Sequence, residues 1–371
     1  MDFDFSDEQE QLRDAVRKWV DKAYSFERRR GIVAEGGFSR EVYGELAGLG
    51  LCGLYVDPDH GGMGMGPIEG MLAMEELGRG IVLEPLAQAL IAGAVLSAHA
   101  SGDIQSRWLP GIADGSELVV LAHQEAGARY RLDRCATQAS ESGKAWQISG
   151  KKSLVPVGDK AQAYLVPAML GGTLGMFLVE ATAAGITSRG YGTQDGARAA
   201  EISFNQSPAA LVSKNGKTAL EHGLDIGVAA LCAEAVGVMD KTLAATVLYM
   251  NMRKQFGVAI ASFQALRHRV ADMKMQLELA RSMSYYASLK LNAPAQERSL
   301  AMSRAKYQIG QSMRVFGQSA IQLHGGIGVT DEYIVSHYFK KLTQLELSLG
   351  DSMHHLGQVS AGMQETAGVF A

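Results

Sequence analysis

The sequence predicts an α+β protein in three parts. These are an N-terminal helical domain over residues 1–117, a middle antiparallel β-barrel or sandwich domain over 118–215, and a C-terminal four-helix bundle over 216–371. Three observations predict this. Apolar residues recur at helical spacing up to about residue 117. Short β-like segments separated by Gly, Ser and Asp then take over. From about Lys217 long amphipathic stripes return.

In the first part, Ser6 followed by Gln9 reads as a capping box. Leu12, Val16, Trp19 and Ala23 follow at helical spacing. Ser39 is suited to cap a second helix through Leu46 and Leu49. A glycine-rich loop from Asp59 to Gly66 leads to Pro67, a residue fit for the first turn of a helix that carries Glu75 and Glu76 and stops near Gly78. The predicted strands are Leu118–Ala122, Trp146–Ser149, Ala163–Ala168, Leu174–Val179 and Glu201–Phe204. In the last part, Val228, Leu231, Ala235, Val238, Thr242 and Ala245 share a face. Phe263, Leu266, Val270, Met273, Leu277 and Ala280 form a second stripe, and Ala301 through Ala320 a third. Their thin polar faces imply surface buried against another subunit, or else a closely packed monomeric bundle.

The chain has 371 residues, 47% hydrophobic and 20% charged, with net charge −4. That excludes a disordered chain and allows a large core. No uninterrupted apolar run reaches the roughly 18 residues of a membrane span. The acidic start, Met1 to Asp7, lacks the basic-then-apolar plan of a signal peptide, so a cytoplasmic location is expected. Cys52, Cys135 and Cys232 are odd in number and far apart, which fits neither a disulfide framework nor a zinc site. His354 and His355 are adjacent and point apart on a helix, so a solvated or interface pair is expected rather than metal ligands. No strong basic stripe suggests nucleic acid, and Arg28-Arg29-Arg30 is read as solvated surface. There is no P-loop, Rossmann glycine pattern or nucleophile elbow.

Two segments carry possible chemistry. Arg253-Lys254-Gln255-Phe256-Gly257 precedes Ser262-Phe263-Gln264. An arginine fork, an aromatic ring, a glycine turn and a helix start are suited to grip a phosphate and a flat ring, although an ordinary helix–turn–helix has the same spacing. The second segment is Gln322-Leu323-His324-Gly325-Gly326-Ile327-Gly328, whose glycines end a helix and permit close approach.

Taken with the helical–β–helical order, RKQFG, FQ and QLHGGIG at these intervals resemble the acyl-CoA dehydrogenase family. Glu45-Leu46 through Gly53-Leu54, His60-Gly61-Gly62, Glu75-Glu76-Leu77-Gly78-Arg79 and Trp146 through Lys152 fit the same resemblance. It covers nearly the whole chain and is nearest to the short bacterial members called pimeloyl-CoA dehydrogenase small subunits. It implies FAD, an acyl-CoA substrate, a carboxylate that takes the α-proton and an electron-transfer flavoprotein as acceptor. It implies that Arg253, Phe256 and Gln264 touch the FAD of a neighbouring subunit. Gln322, Gly325 and Gly326 would line its ADP part. The oligomer would be a homodimer or homotetramer, or a heterotetramer with a longer homologue.

The resemblance fails at the catalytic base. The family's late Glu falls on Leu349, in Leu347-Ser348-Leu349-Gly350-Asp351-Ser352, and the alternative position falls on Gly227. Asp351, Glu346 and Asp225 are the nearby carboxylates; Asp351 is either a relocated base or a helix cap, and Glu346 either a base or an ordinary helix-face charge. The flavin-side run Thr-Glu-Pro-Gly-x-Gly-Ser reads Gln124-Glu125-Ala126-Gly127-Ala128-Arg129-Tyr130 here, and Trp-Ile-Thr reads Leu154-Val155-Pro156. Pro156 has no N–H to offer, while Gln124 has donor and acceptor groups for the ring edge. Arg129 would meet a substrate carboxylate or lie on the surface. Three functions follow as expectations: an acyl-CoA dehydrogenase, a non-catalytic or FAD-sharing subunit of a heteromeric one, or a flavin oxidase or hydroxylase on the same fold.

Overall fold

The computed structural model describes residues 4–142 and 145–366. The helices are α1 Asp7–Ala23, α2 Phe26–Ala34, α3 Arg40–Gly48, α4 Pro67–Gly80, α5 Leu86–His99, α6 Gly102–Ala113, α7 Gly216–Met252, α8 Gln264–Lys290, α9 Ala295–His324, α10 Ile334–Leu347 and α11 Ser352–Thr366. The strands are β1 Val119–Leu121, β2 Gln138–Ser142, β3 Ala145–Pro156, β4 Ala163–Leu170, β5 Thr173–Glu180, β6 Ile186–Gly192, β7 Arg198–Ser213, β8 Lys254–Gln255 and β9 Val258–Ala259. Packing groups them into two compact units, residues 1–29, 67–82 and 228–371 in one and residues 30–66 and 83–227 in the other.

In the first unit, α8 packs on α9, and α9 receives α10 and α11. Two glycines let α4 and α7 approach closely. A Cβ on Gly78 would lie 2.1 Å from the Glu234 carbonyl oxygen, and one on Gly237 1.8 Å from that of Glu75. Any side chain there would force the helices apart. The capping box at Ser6 forms as the sequence predicts. Arg29 departs from its expected solvated place: it is 1% exposed, and its Nε donates to the Ile81 carbonyl at 3.0 Å. Inside the fold the carbonyl replaces water as the acceptor of the buried guanidinium.

In the second unit, β4, β2, β3, β7 and β5 pair in turn and β5 returns to β4, which closes a barrel. Most pairs are antiparallel; β1 and β2 instead run parallel to β4. The polar strand β2 and the edge strand β6, largely exposed, lack an alternating apolar signature and owe their strand state to their neighbours. A second register shift in β3, between Lys152 and Val155, lifts Leu154 out of the ladder at φ +53. Among the described residues one helix, α7, is long and apolar enough to cross a membrane, and 83% of its most apolar window is buried inside the protein, as a core helix requires.

Candidate functional site

Arg253 follows the end of α7, where its N–H donates to the Tyr249 carbonyl at 2.8 Å. Strands β8 and β9 then form a hairpin, and the Ile260 N–H returns to the Arg253 carbonyl at 2.8 Å. Its two-residue tip is Phe256-Gly257, both at positive φ (+52 and +81). That is the backbone of the mirror-image turns that match strand twist, and it explains the glycine. The Phe256 ring stands 92% exposed at the tip, edge-on to Phe263 at 6.0 Å. Gln264 opens the 27-residue helix α8, exposed, and no side chain caps that helix. The hairpin thus presents a guanidinium, a ring and a helix N-terminus outward.

At the end of α9, Gln322 is exposed and Gly325 turns the chain at φ +63, ψ −140, which only glycine adopts without strain. A Cβ at Gly325 or Gly326 would meet nothing within 4 Å, so the backbone there is open to a ligand. His324 beside them is 3% exposed and stacked on Tyr249 at 4.5 Å. Its Nδ1 lies 2.8 Å from the Ala320 carbonyl, which fixes the proton there, and its buried Nε2 has no hydrogen-bond partner among the described residues. Guanidinium, helix start, open glycine backbone and an unanswered acceptor fit the ADP half of a dinucleotide cofactor. Of the residues the sequence assigns to the flavin ring, all in the second unit, Pro156 gives no N–H, Leu154 is 52% exposed in its bulge, and Gln124 is half-buried.

The turn between α10 and α11 holds the altered base positions. Lys306, 1% exposed, donates to the carbonyls of Leu345 (2.8 Å), Glu346 (2.9 Å) and Gly350 (3.0 Å). Burial lowers its amine to about 8 even though Cys232, Glu346 and Asp351 favour its charge. Leu349 sits at φ +55, and its carbonyl accepts from His355 Nε2 at 3.1 Å. His355 Nδ1 lies 3.2 Å from the Ser303 hydroxyl. This corrects the expected solvated or interface histidine pair: His355 is 5% exposed, because the neutral ring finds a partner for each nitrogen inside the bundle. Asp351 and Glu346 meet at the start of α11. Asp351 Oδ1 accepts from the His354 N–H at 2.8 Å, and Glu346 Oε1 from the Ser352 N–H at 3.0 Å and hydroxyl at 2.8 Å. Both carboxylates therefore cap α11. Glu346 is 6% exposed rather than an ordinary helix-face charge; Asp351 keeps partial exposure. Asp225 is buried on α7, and Gly227 lies in that helix without a side chain to act.

Periodicity held one signal for this network. Lys306 falls on the stripe of Met302, Ile309 and Met313, which are otherwise apolar and buried. A lysine on such a stripe must find acceptors in the core. Acid should expose the cost of the buried His355. Burial first, and then the charges of Lys306 and His354, depress its pKa to about 3. The unfolded ring takes a proton near its ordinary pKa and the folded one does not. Stability is therefore lost as pH falls from about 6.5 towards 3. The pH slope of the unfolding free energy between 6 and 4 should flatten by about one proton in His355→Gln; an unchanged slope would contradict the assignment.

Among the described residues no cluster of three metal-ligating side chains occurs, and the three cysteines are free. Residues 6–116 match the acyl-CoA dehydrogenase N-terminal domain and residues 214–364 the acyl-CoA dehydrogenase C-terminal domain. Acyl-CoA dehydrogenase FadE12 of Mycobacterium tuberculosis is 30% identical over 348 residues, 89% of each chain. The Caffeyl-CoA reductase-Etf complex subunit CarC of Acetobacterium woodii is 26% identical over 354 residues, 91% of this chain and 93% of that one. The solved Tcur3481-Tcur3483 steroid ACAD is 28% identical with TM-score 0.90, covering 97% of this chain and 99% of that one. The chain belongs to the acyl-CoA dehydrogenase family, flavoprotein oxidoreductases that act on acyl-CoA thioesters.

Proposed function

We propose that this chain removes hydrogen across the α–β bond of an acyl-CoA thioester with FAD and passes the electrons to an electron-transfer flavoprotein. The observation that carries the reading is the exposure of Arg253, Phe256 and Gln264 together with the open backbone of Gly325 and Gly326. Arg253 and the start of α8 would hold the cofactor's phosphates, Phe256 would stack on a flat ring, and Gln322 with Gly325 and Gly326 would line the ADP part. Gln124 would address the ring edge. When bound, FAD supplies the acceptor for the substrate's β-hydride. The α-proton then needs a carboxylate. Asp351 is our candidate, since it keeps partial exposure while Glu346 is buried against Ser352.

Phe256 stands exposed at the hairpin tip, and Leu248, Met252, Met275, Leu279 and Val315 expose further apolar surface on α7, α8 and α9. Both features support a dimer or larger oligomer, of identical chains or with a longer homologue. Leu349 at the usual base position favours a second reading. In it this chain is a cofactor-holding subunit whose partner brings the base. CarC is named as part of a complex with Etf, which supports an acceptor flavoprotein here.

The test is a visible spectrum of the purified chain, before and after anaerobic addition of a panel of acyl-CoAs. A flavin band that bleaches supports the dehydrogenase. A band that bleaches only after the longer homologue is added supports the second reading. A chain that holds no flavin, alone or with that homologue, rejects both. Arg253→Ala should lower FAD affinity roughly tenfold to a hundredfold through the lost charge-assisted hydrogen bonds. Flavin absorbance per chain after desalting measures this, and full retention would remove Arg253 from the grip.

A further inference from the structure

The register of β2 on β3 brings a thiol and an amine face to face. Gln138 pairs with Ser149 at the end of that antiparallel ladder. Carried three residues further along both chains, the register puts Cys135 opposite Lys152. Side chains directly opposite across such a pair are close enough to touch. These do: Sγ of Cys135 lies 3.7 Å from Nζ of Lys152. Both reach the same carboxylate oxygen. Glu125 Oε1 accepts from Nζ at 2.8 Å and from the thiol at 3.4 Å. The thiol also reaches the Thr137 and Pro167 carbonyls at 3.6 and 3.5 Å. Neither the cofactor grip nor the turn between α10 and α11 uses any of these residues.

The two partners differ in access. Lys152 is 0% exposed, so its long side chain is already fixed beside the sulfur. Cys135 is half-buried and lines a pocket with His123, Gln124 and Pro167. A small oxidant therefore reaches the sulfur while the amine stands behind it. Cys52 and Cys232 are each 1% exposed and lack that approach. Burial raises the Cys135 thiol above its ordinary pKa, and the charge of Lys152 offsets this only in part. The sulfur thus reacts slowly, as a thiol rather than a standing thiolate.

We propose that Cys135 and Lys152 form a reversible covalent cross-link when the chain meets a hydroperoxide. In the first step the peroxide O–O bond breaks. The sulfur takes one oxygen and becomes a sulfenic acid, and the peroxide is reduced to water or an alcohol. In the second step the Lys152 nitrogen attacks that sulfur. An S–N bond forms, the S–O bond breaks and water leaves. One ammonium proton departs in that water. The other passes along the hydrogen bond to Glu125 and on to solvent. One peroxide is consumed per cross-link, and the sulfur loses two electrons. A dithiol reverses it by attack at sulfur, which returns the thiol and the amine and leaves the reductant as a disulfide. While it lasts, the bond takes the ammonium charge from Glu125, whose remaining donors are the N–H groups of Ala136 and Thr137 and the Thr137 hydroxyl. The segment that carries Gln124 thereby senses oxidant. The cross-link itself does not rest on the acyl-CoA reading.

The experiment exposes the full chain to excess hydrogen peroxide, digests it and weighs the peptides, with and without dithiothreitol. Peptides are read because the 17 methionines also take up oxygen. The expected result is a linked species that joins the Cys135 peptide to the Lys152 peptide. It should be lighter than the two together by two hydrogens and should vanish on reduction. Lys152→Arg keeps a positive charge beside Glu125 but offers no amine. Its Cys135 should run on to sulfinic acid, which dithiothreitol does not reverse. Cys135→Ser should give no linked species. The parent chain alone decides the matter, so the test stands even where a variant fails to fold. A treated parent whose Cys135 is unchanged, or carries oxygen alone, with no linked peptide overturns the proposal.

Discussion

Asp351→Asn is expected to slow flavin reduction by an acyl-CoA about 10²- to 10⁴-fold, the usual contribution of a positioned acid–base group. It should leave the fold nearly untouched. Asn caps a helix about as well as Asp, so the His354 N–H keeps its acceptor at the start of α11. A large rate loss with an unchanged unfolding midpoint therefore separates a proton acceptor from a cap. Stopped-flow reduction measures the first and thermal unfolding the second. Unimpaired reduction would assign Asp351 to capping and move the base to a partner chain. Leu349→Glu is the complement. Leu349 already adopts φ +55, and His355 and Lys306 hold the turn around it by its backbone carbonyls, so a Glu there adds little new strain. In a chain whose base is missing, that substitution should raise the reduction rate rather than the stability.

The order helical–β–helical was legible because long amphipathic stripes and short alternating segments carry different periods. The strand β2 was not, since Gln138–Ser142 reads as polar loop until β3 pairs along it. The cofactor grip was legible as residue types at the right intervals. Its hairpin was not, because the signal for the turn is a positive φ at Phe256, a residue that rarely adopts one. The network around Lys306 escaped for another reason. Its acceptors are main-chain carbonyls at the end of α10 and in the following turn, and carbonyls leave no mark in a sequence. The same holds for Arg29, whose bound carbonyl lies 52 residues away along the chain. Apolar pattern thus announces where the core is. It does not announce which charged residues the core has recruited to satisfy its backbone ends.

Glu125 shows how much such a recruited charge is worth. Its carboxylate accepts from Lys152 Nζ, from the Ala136 and Thr137 N–H groups at 2.6 and 3.1 Å, and from the Thr137 hydroxyl at 2.7 Å. Lys152 is 0% exposed. Glu125→Ala would strand that ammonium in the barrel, so the expected destabilisation is about 3–5 kcal/mol, the range for breaking a buried pair. Lys152→Met alone should cost less, because the carboxylate keeps its three other donors. The double substitution should cost less than the sum, since the stranded charge is gone. Protonation tests the same contact without mutation. Burial by itself raises the Glu125 carboxyl, but the hydrogen bond and charge of Lys152, with the Ala136 and Thr137 donors, overcome it and bring the group to about 2. Its folded pKa lies below its unfolded value, so its stabilisation is complete above about pH 4.5 and is lost as pH falls through 2. Acid unfolding of Glu125→Gln should lack that component, and urea midpoints from pH 5 down to 2 would reveal it. If wild type and Glu125→Gln lost stability in parallel over that range, the carboxylate would not be the anchor of the loop that carries Gln124 and Arg129.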